Sequence, residues 1–176
     1  MTILLLSILA VIVIFLIIAA LQSNDYVISR EVTVRQPREK VFDYLRHIRN
    51  MEQYNKWVMT DPGKKTTFRG TDGRTGFVYA WDSTNKQAGK GEQEIKQLVQ
   101  NEKIVLEIRF EKPFQGVSEA ILMTHAEGPE QTRVTYVFKG AKNFGMKIAH
   151  LLFNLEKVLG KDLDISLENL KAKLEQ

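Results

Sequence analysis

An apolar run extends from Ile3 to Leu21, and only Ser7 interrupts it. A helix rises about 1.5 Å per residue, so this run has the length that a hydrocarbon core of roughly 30 Å requires. The run is apolar on every side, which is not the pattern of a surface amphipathic helix. A cleaved signal peptide is the alternative, but no Lys or Arg precedes the run and Ala19-Ala20-Leu21-Gln22 is an indifferent cleavage site. We therefore predict a transmembrane anchor at residues 1–22 and a folded domain at residues 23–176.

The charged residues after this run bear on its orientation and on possible partners. Arg30, Arg35, Arg38 and Lys40 follow the run, so the positive-inside rule favours a single-pass protein with a cytoplasmic domain. The formal net charge is +4, but the basic residues are dispersed among acidic ones. No basic stripe interleaved with aromatic residues is present, so we expect no nucleic-acid partner. Weak attraction to anionic lipid fits the anchor better.

Residue types limit the chemistry that the chain can perform. It contains no cysteine, which excludes disulfides, thiolate nucleophiles and Cys-based metal sites. The three histidines, His47, His125 and His150, have no Ser or carboxylate at a triad or metal-binding spacing. We therefore predict no metal, no cofactor and no catalytic residue.

The segments after the apolar run show two hydrophobic periods, the alternation of strands and the steps of three and four residues of helices. A strand over residues 26–34 is followed by Pro37, a helix with an apolar stripe through residue 48, and a second short helical piece that Asp61-Pro62-Gly63 ends. Six segments with strand character then alternate with turn signals, at residues 66–69, 77–81, 87–99, 103–110, 116–126 and 132–139. This pattern predicts a curved antiparallel sheet with one buried face.

The remaining residues predict one long helix from about Phe144 to Glu175. Ile148, Leu152, Leu155, Leu159, Leu163, Leu167, Leu170 and Leu174 recur at steps of three and four. Such a stripe must lie against apolar surface, and the concave face of the sheet is the available partner. Gly160 interrupts the stripe, which a closely approaching partner, a bend or space for a ligand would each explain.

The order of strand, helix pair, six-strand meander and long helix resembles the START-like or SRPBCC superfamily, the birch-pollen-allergen-like fold, and most closely its polyketide cyclase/dehydrase branch. Segments 34–45, 69–73, 79–81, 110–114, 160–163 and 167–171 carry the resemblance. It implies an α+β helix-grip fold, in which a curved antiparallel sheet wraps around a long C-terminal helix. It further implies a cavity between sheet and helix for a lipid, isoprenoid, polyketide or similar apolar molecule.

Aromatic and aliphatic side chains of the predicted sheet and helix are candidates for lining this cavity, since ligand pockets are mostly apolar. They are Trp57, Phe77, Tyr79, Trp81, Leu106, Ile108, Phe110, Tyr136, Phe138, Leu152, Leu155 and Leu159. The same residues would also make a solidly packed core. The sequence thus favours a membrane-anchored binding module for a hydrophobic small molecule.

Two other functions remain open. A cyclase or dehydratase would need a carboxylate, histidine or tyrosine in the cavity, and Glu92, Glu94, Glu107 and Glu119 lie on predicted strands. Strand alternation places Glu107 outward, and charged side chains are rarely buried unpaired, so we expect these carboxylates to be solvated. A domain whose cleft or sheet edge binds a partner polypeptide is the second alternative.

Overall fold

The computed structural model describes residues 1–113 and 115–176, and the side chains of Ala149, His150, Phe153 and Leu155 lie outside this description. The chain begins with helix α1, Thr2–Leu21. Its mean hydropathy is 3.4 over the best window, long and apolar enough to cross a membrane, a test that a signal sequence also passes. Only Ala19, near its end, is buried.

A seven-stranded antiparallel sheet in the order β1-β7-β6-β5-β4-β3-β2 follows. The strands are β1 Asp25–Val34, β2 Lys65–Arg69, β3 Val78–Asp82, β4 Lys90–Val99, β5 Lys103–Lys112, β6 Gly116–Gly128 and β7 Gln131–Ala141. The six later strands form a meander, and the last strand returns to pair with the first. Each predicted strand segment corresponds to one of these strands, with bounds shifted by up to three residues.

Alternation decides which face of each strand is buried. In β5, Ile104, Leu106 and Ile108 are buried on the inner face. On the outer face Arg109 binds Glu92, Glu94 and Glu107. The sheet therefore has an apolar inner face and a charged outer face, as the alternation in the sequence predicts.

Helix α2, Arg38–Arg46, begins directly after Pro37 and covers part of the inner face with Val41, Phe42 and Leu45. Two 3-10 turns, Ile48–Gln53 and Val58–Thr60, continue this cover. They correspond to the short helical piece that the sequence predicts before Asp61-Pro62-Gly63.

The single long helix predicted at the C-terminus is instead two helices, α3 Phe144–Phe153 and α4 Leu155–Leu174. Asn154 separates them in the left-handed conformation, at φ 45°, and its side chain accepts a hydrogen bond from Lys157 N at the start of α4. Asparagine adopts this conformation at lower cost than most residues and is a favourable N-cap. The break redirects the chain, so the stripe does not lie against the sheet along its whole length.

The inner face of the sheet holds only the later part of that stripe. Leu163, Leu167, Leu170 and Leu174 are buried. Gly160 is also buried, because Arg30 of β1 lies directly over it and leaves no space for a Cβ. Of the three explanations for Gly160, a closely approaching partner is therefore the one that the structure shows. The architecture is the predicted α+β helix-grip fold, with α4 as the gripped helix.

Candidate functional site

Two short runs of inner-face residues lie at the end of the sheet nearest α1, where β1 begins four residues after α1 ends. Strand pairing connects Tyr26 to Gly140 and Gly140 to Ser118 in the first run, and Phe110 to Gly91 and Gly91 to Trp81 in the second. The two runs are offset by two residues, because Ser118 pairs with Ile108. We call Tyr26, Gly140, Ser118, Phe110, Gly91 and Trp81 the α1-end row. Its three aromatic rings are partly buried. The next inner-face residues on the same strands, Ile28, Ile108 and Tyr79, are buried.

The two glycines of the α1-end row make room for these rings. A Cβ on Gly91 would lie 2.8 Å from the ring of Trp81, and one on Gly140 would lie 2.5 Å from the hydroxyl of Tyr26. Trp81 and Tyr26 can therefore lie across the neighbouring strands. The Trp81 ring also meets Phe110 edge to face, with centroids 6.1 Å apart. Tyr26, Phe110 and Trp81 thus keep part of their aromatic surface exposed.

Trp57 and Leu159 cover the same end of the inner face from the helical layer. The ring centroid of Trp57 is 5.1 Å from that of Phe138, and its indole Nε1 donates to Asp162 of α4 at 3.0 Å. Leu159 is half-buried against the core. Six candidates from the sequence, Trp57, Trp81, Ile108, Phe110, Phe138 and Leu159, thus belong to or adjoin the α1-end row.

Four other candidates lie deeper and are packed. Phe77, Tyr79, Leu106 and Tyr136 are at most 2% exposed and belong to one contiguous core. Phe77 stacks on Phe68, and the guanidinium of Arg49 lies 4.0 Å from the ring centre of Phe68. These side chains therefore form packed core in the chain as it stands.

The last two candidates on the C-terminal stripe are not placed with the others. Leu152 is 59% exposed on α3, because the break at Asn154 carries its helix away from the inner face. The side chain of Leu155 lies outside the described residues, as does that of His150.

Tyr79 takes part in a polar group that the sequence does not indicate. Its hydroxyl donates to Glu52, and Lys64, whose side chain is 3% exposed, donates to the same carboxylate at 2.8 Å. Burial and the neighbouring Glu52 charge raise the pKa of Tyr79, so it stays a neutral donor. Glu52 therefore accepts hydrogen bonds from both Tyr79 and Lys64.

A second polar group lies among the buried tyrosines. Asn55 Nδ2 donates to the hydroxyl of Tyr136 at 3.1 Å, and the buried hydroxyls of Tyr54 and Tyr44 have no partner within the described residues. Burial raises the pKa of Tyr136 to about 12 and raises that of Tyr54 well above its usual value. The interior therefore presents neutral hydroxyls rather than charge.

The raised pKa of Tyr136 predicts a loss of stability at alkaline pH. Because the pKa of Tyr136 is raised in the folded state, its neutral hydroxyl contributes to stability in full below the unfolded pKa of about 10. This contribution to the free energy of unfolding is lost as the pH rises towards 12. Two pH units correspond to about 2–3 kcal/mol of unfolding free energy. Denaturant unfolding at pH 9 to 12 should show this fall, and Tyr136→Phe should make it smaller by that amount. An identical pH dependence in the variant would contradict the assignment.

Two surface grooves lie outside the predicted cavity. One, of about 720 Å³, lies on the outer face at the α1 end of the sheet, between residues such as Val27, Val117 and Lys139. Its lining includes Leu106 among the candidates, and also Tyr26, Ser118 and Gly140 of the α1-end row. The other, of about 380 Å³, lies between β1 and the start of α4. Neither groove lies between the inner face and α4.

The remaining polar candidates lie outside the α1-end row. Glu92, Glu94 and Glu107 bind Arg109, and Glu119 binds Lys139 at 2.9 Å. Hydrogen bonds from Arg69 and Arg109 lower the pKa of Glu92, and a hydrogen bond from Arg109 lowers the pKa of Glu94. Among the side chains that the structure describes, which do not include His150, no three of His, Asp or Glu are grouped to hold a metal ion.

The sequence profile of the family described as "Polyketide cyclase / dehydrase and lipid transport" matches residues 26–175. The chain belongs to this family. The match starts after α1 and covers all seven strands and both C-terminal helices. Comparison with curated proteins finds no match. The description covers both enzymes and lipid transport, so membership of the polyketide cyclase/dehydrase and lipid transport family does not by itself identify a reaction.

Several solved protein structures share the fold of this chain. A Thermobifida fusca protein solved by NMR is 14% identical, with a TM-score of 0.62, covering 84% of this chain and 92% of that one. The Aha1 dimer from Colwellia psychrerythraea is 14% identical, with a TM-score of 0.59 and coverages of 85% and 96%. DynU16, a putative protein in the dynemicin biosynthetic locus, is 14% identical, with a TM-score of 0.58 and coverages of 85% and 47%. At these identities the likeness shows the fold alone.

Proposed function

We propose that this chain is a membrane-anchored binding module for a hydrophobic small molecule, a lipid, isoprenoid or polyketide-like compound. The observation that carries the proposal is the α1-end row, where Tyr26, Phe110 and Trp81 stay partly exposed on an otherwise buried apolar face. Exposed aromatic surface that continues a core commonly marks a binding site. The family description, which includes lipid transport, is consistent with such a ligand.

The packed core favours one location for the ligand. Tyr79, Leu106 and Tyr136 fill the middle of the inner face, which favours a ligand on the partly exposed rings at the α1 end, beside Trp57 and Leu159. Ser118 lies beside the Tyr26 hydroxyl, and the charged side chain bound to the covering Trp57 is the Asp162 carboxylate, which would repel an anion. A neutral apolar molecule fits these surroundings better than an anionic one, which would need a cation to offset its burial.

The anchor is the second part of the proposal. α1 is exposed along almost its whole length and is apolar throughout, which is stable in a hydrocarbon core and not in water. Its last turn is followed directly by β1, so the α1-end row lies close to the membrane surface. We place the soluble domain on the cytoplasmic side, because Arg30, Arg35 and Arg38 follow α1.

Native mass spectrometry of residues 24–176, produced without α1, tests the ligand. We expect a soluble domain that unfolds cooperatively and carries one co-purified apolar molecule, or that takes up an added uncharged lipid such as a monoacylglycerol. Trp81→Ala and Phe110→Ala should lose the molecule, since they remove the aromatic surface. Tyr44→Ala removes a half-buried aromatic ring from α2 and serves as the matched control. A folded domain that binds neither native nor added apolar molecules would contradict the proposal.

A further inference from the structure

Helix α3 carries an apolar stripe that nothing within the described residues covers. The stripe consists of Phe144, Ile148, Leu151 and Leu152. Successive members are four, three and one residues apart, and these spacings place them on one side of a helix. Phe144 is 50%, Leu151 36% and Leu152 59% exposed, and Ile148 is partly exposed. Val158, in the first turn of α4, is a further 51% exposed. Contiguous apolar exposure of this kind marks a contact surface rather than ordinary protein surface.

The structure also shows what lies beside this stripe. The last turn of α1 packs against α3, where Ala19 is fully buried. Lys147 of α3 is only 8% exposed and its Nζ donates to the carbonyl of Ala20 at 3.2 Å. A lysine at this position stabilises the C-terminal end of α1, where unsatisfied carbonyls and negative partial charge gather. The exposed apolar surface of α3 therefore begins where the apolar surface of α1 ends.

We propose that α3 is an interfacial helix that lies on the membrane which α1 spans, with its apolar stripe at the boundary between headgroups and acyl chains. This proposal depends on the anchor in the proposed function. A helix with one apolar side and adjacent lysines is the kind that binds in this position. Lys142 precedes α3 and Lys157 follows it, and both can approach anionic headgroups.

The bilayer is the occupant that the geometry favours over a protein partner. α1 is a continuous apolar surface of 20 residues, and its end is in contact with α3. Any surface that covers α1 is thus already next to the stripe. A partner polypeptide or a second copy would have to bind α3 within the headgroup region, where lipid is present at far higher concentration.

The absence of cysteine allows a direct test with the full chain. Leu152→Cys, labelled with an environment-sensitive fluorophore, is reconstituted into nanodiscs of phosphatidylcholine and phosphatidylserine. Lipids carrying a quencher just below the headgroup should remove most of its fluorescence. Lys173→Cys, an exposed position on the last turn of α4, is the matched control and should keep its fluorescence. Val158→Cys provides a second position on the apolar surface if the first variant does not fold.

Each outcome bears on a different part of the proposal. Quenching at residues 152 and 158 but not at 173 supports an interfacial α3. A chain that resists alkaline carbonate extraction but shows no quenching at 152 overturns the α3 inference and leaves the anchor in place. A chain that carbonate releases from the membrane contradicts the anchor itself. A disulfide between two copies of the unlabelled Leu152→Cys chain, formed with an added copper-phenanthroline oxidant in air, together with no lipid quenching of the labelled chain, would identify the stripe as a contact between copies and also overturn the inference.

Discussion

Leu163→Asp is expected to unfold the domain. Leu163 is fully buried among apolar side chains where α4 packs on the sheet. An aspartate there is either an unpaired buried charge or a protonated acid without its hydrogen bonds, and the cost is several kcal/mol in addition to the lost leucine packing. That sum is comparable to the whole stability of an ordinary domain. Circular dichroism and denaturant unfolding would measure the loss.

Val158→Asp is the matched control on the same helix. Val158 is 51% exposed, so its replacement should change the unfolding free energy by about 0.5 kcal/mol or less. Equal tolerance of both substitutions would mean that α4 does not pack on the sheet through Leu163. Equal damage from both would mean that the surface around Val158 is buried in the native protein.

Phe77→Ala is expected to cost about 3–5 kcal/mol, the usual cost of removing a buried aromatic ring from a packed core. Phe77 is fully buried and its ring stacks on Phe68. Trp81→Ala should cost about half as much or less, although the side chain is larger, because one side of the Trp81 ring has fewer neighbouring atoms to lose. Both values come from denaturant unfolding of residues 24–176.

The comparison of these two variants also tests the site. If the α1-end row is a ligand-binding surface, Trp81→Ala reduces uptake of an apolar ligand while most of the stability remains, and Phe77→Ala affects uptake only through stability. An equally large loss of stability for Trp81→Ala would show that the row is closed core, which would remove the structural support for a ligand there.

The fold could be predicted from the sequence because its signals are local. Alternation in β5 and β7 and the turns between strands are each contained in about ten residues, and a meander joins consecutive strands as neighbours. The break at Asn154 was not predicted, since apolar residues recur at helical spacing on both sides of it. Periodicity indicates a helix but not which surface each turn contacts. A single asparagine is compatible with a continuous helix.

The candidate site could be predicted only in part. Aromatic residues on strands were a sufficient signal for Trp81 and Phe110. The polar partners were missed because they are distant in the sequence: Asp162 binds Trp57 across 105 positions, and Glu52 binds Tyr79 across 27. No spacing rule connects such pairs, because the fold alone brings them together. The partial exposure of the α1-end row also depends on how far the helices extend over the inner face of the sheet, which the spacing of residues along the sequence does not give.

The pairing of β1 with β7 has a consequence for how the chain is made. Asp25 pairs with Ala141, so the hydrogen bonds of β1, the first strand to be synthesised, form only after β7, the last strand, has been synthesised. Closing so long a loop slows folding, and unpaired strands are exposed meanwhile. α1 emerges before all of them and can enter a bilayer during synthesis. We therefore expect the sheet to close only late in translation, with its first strand already held at the membrane surface and separated from other unfolded chains.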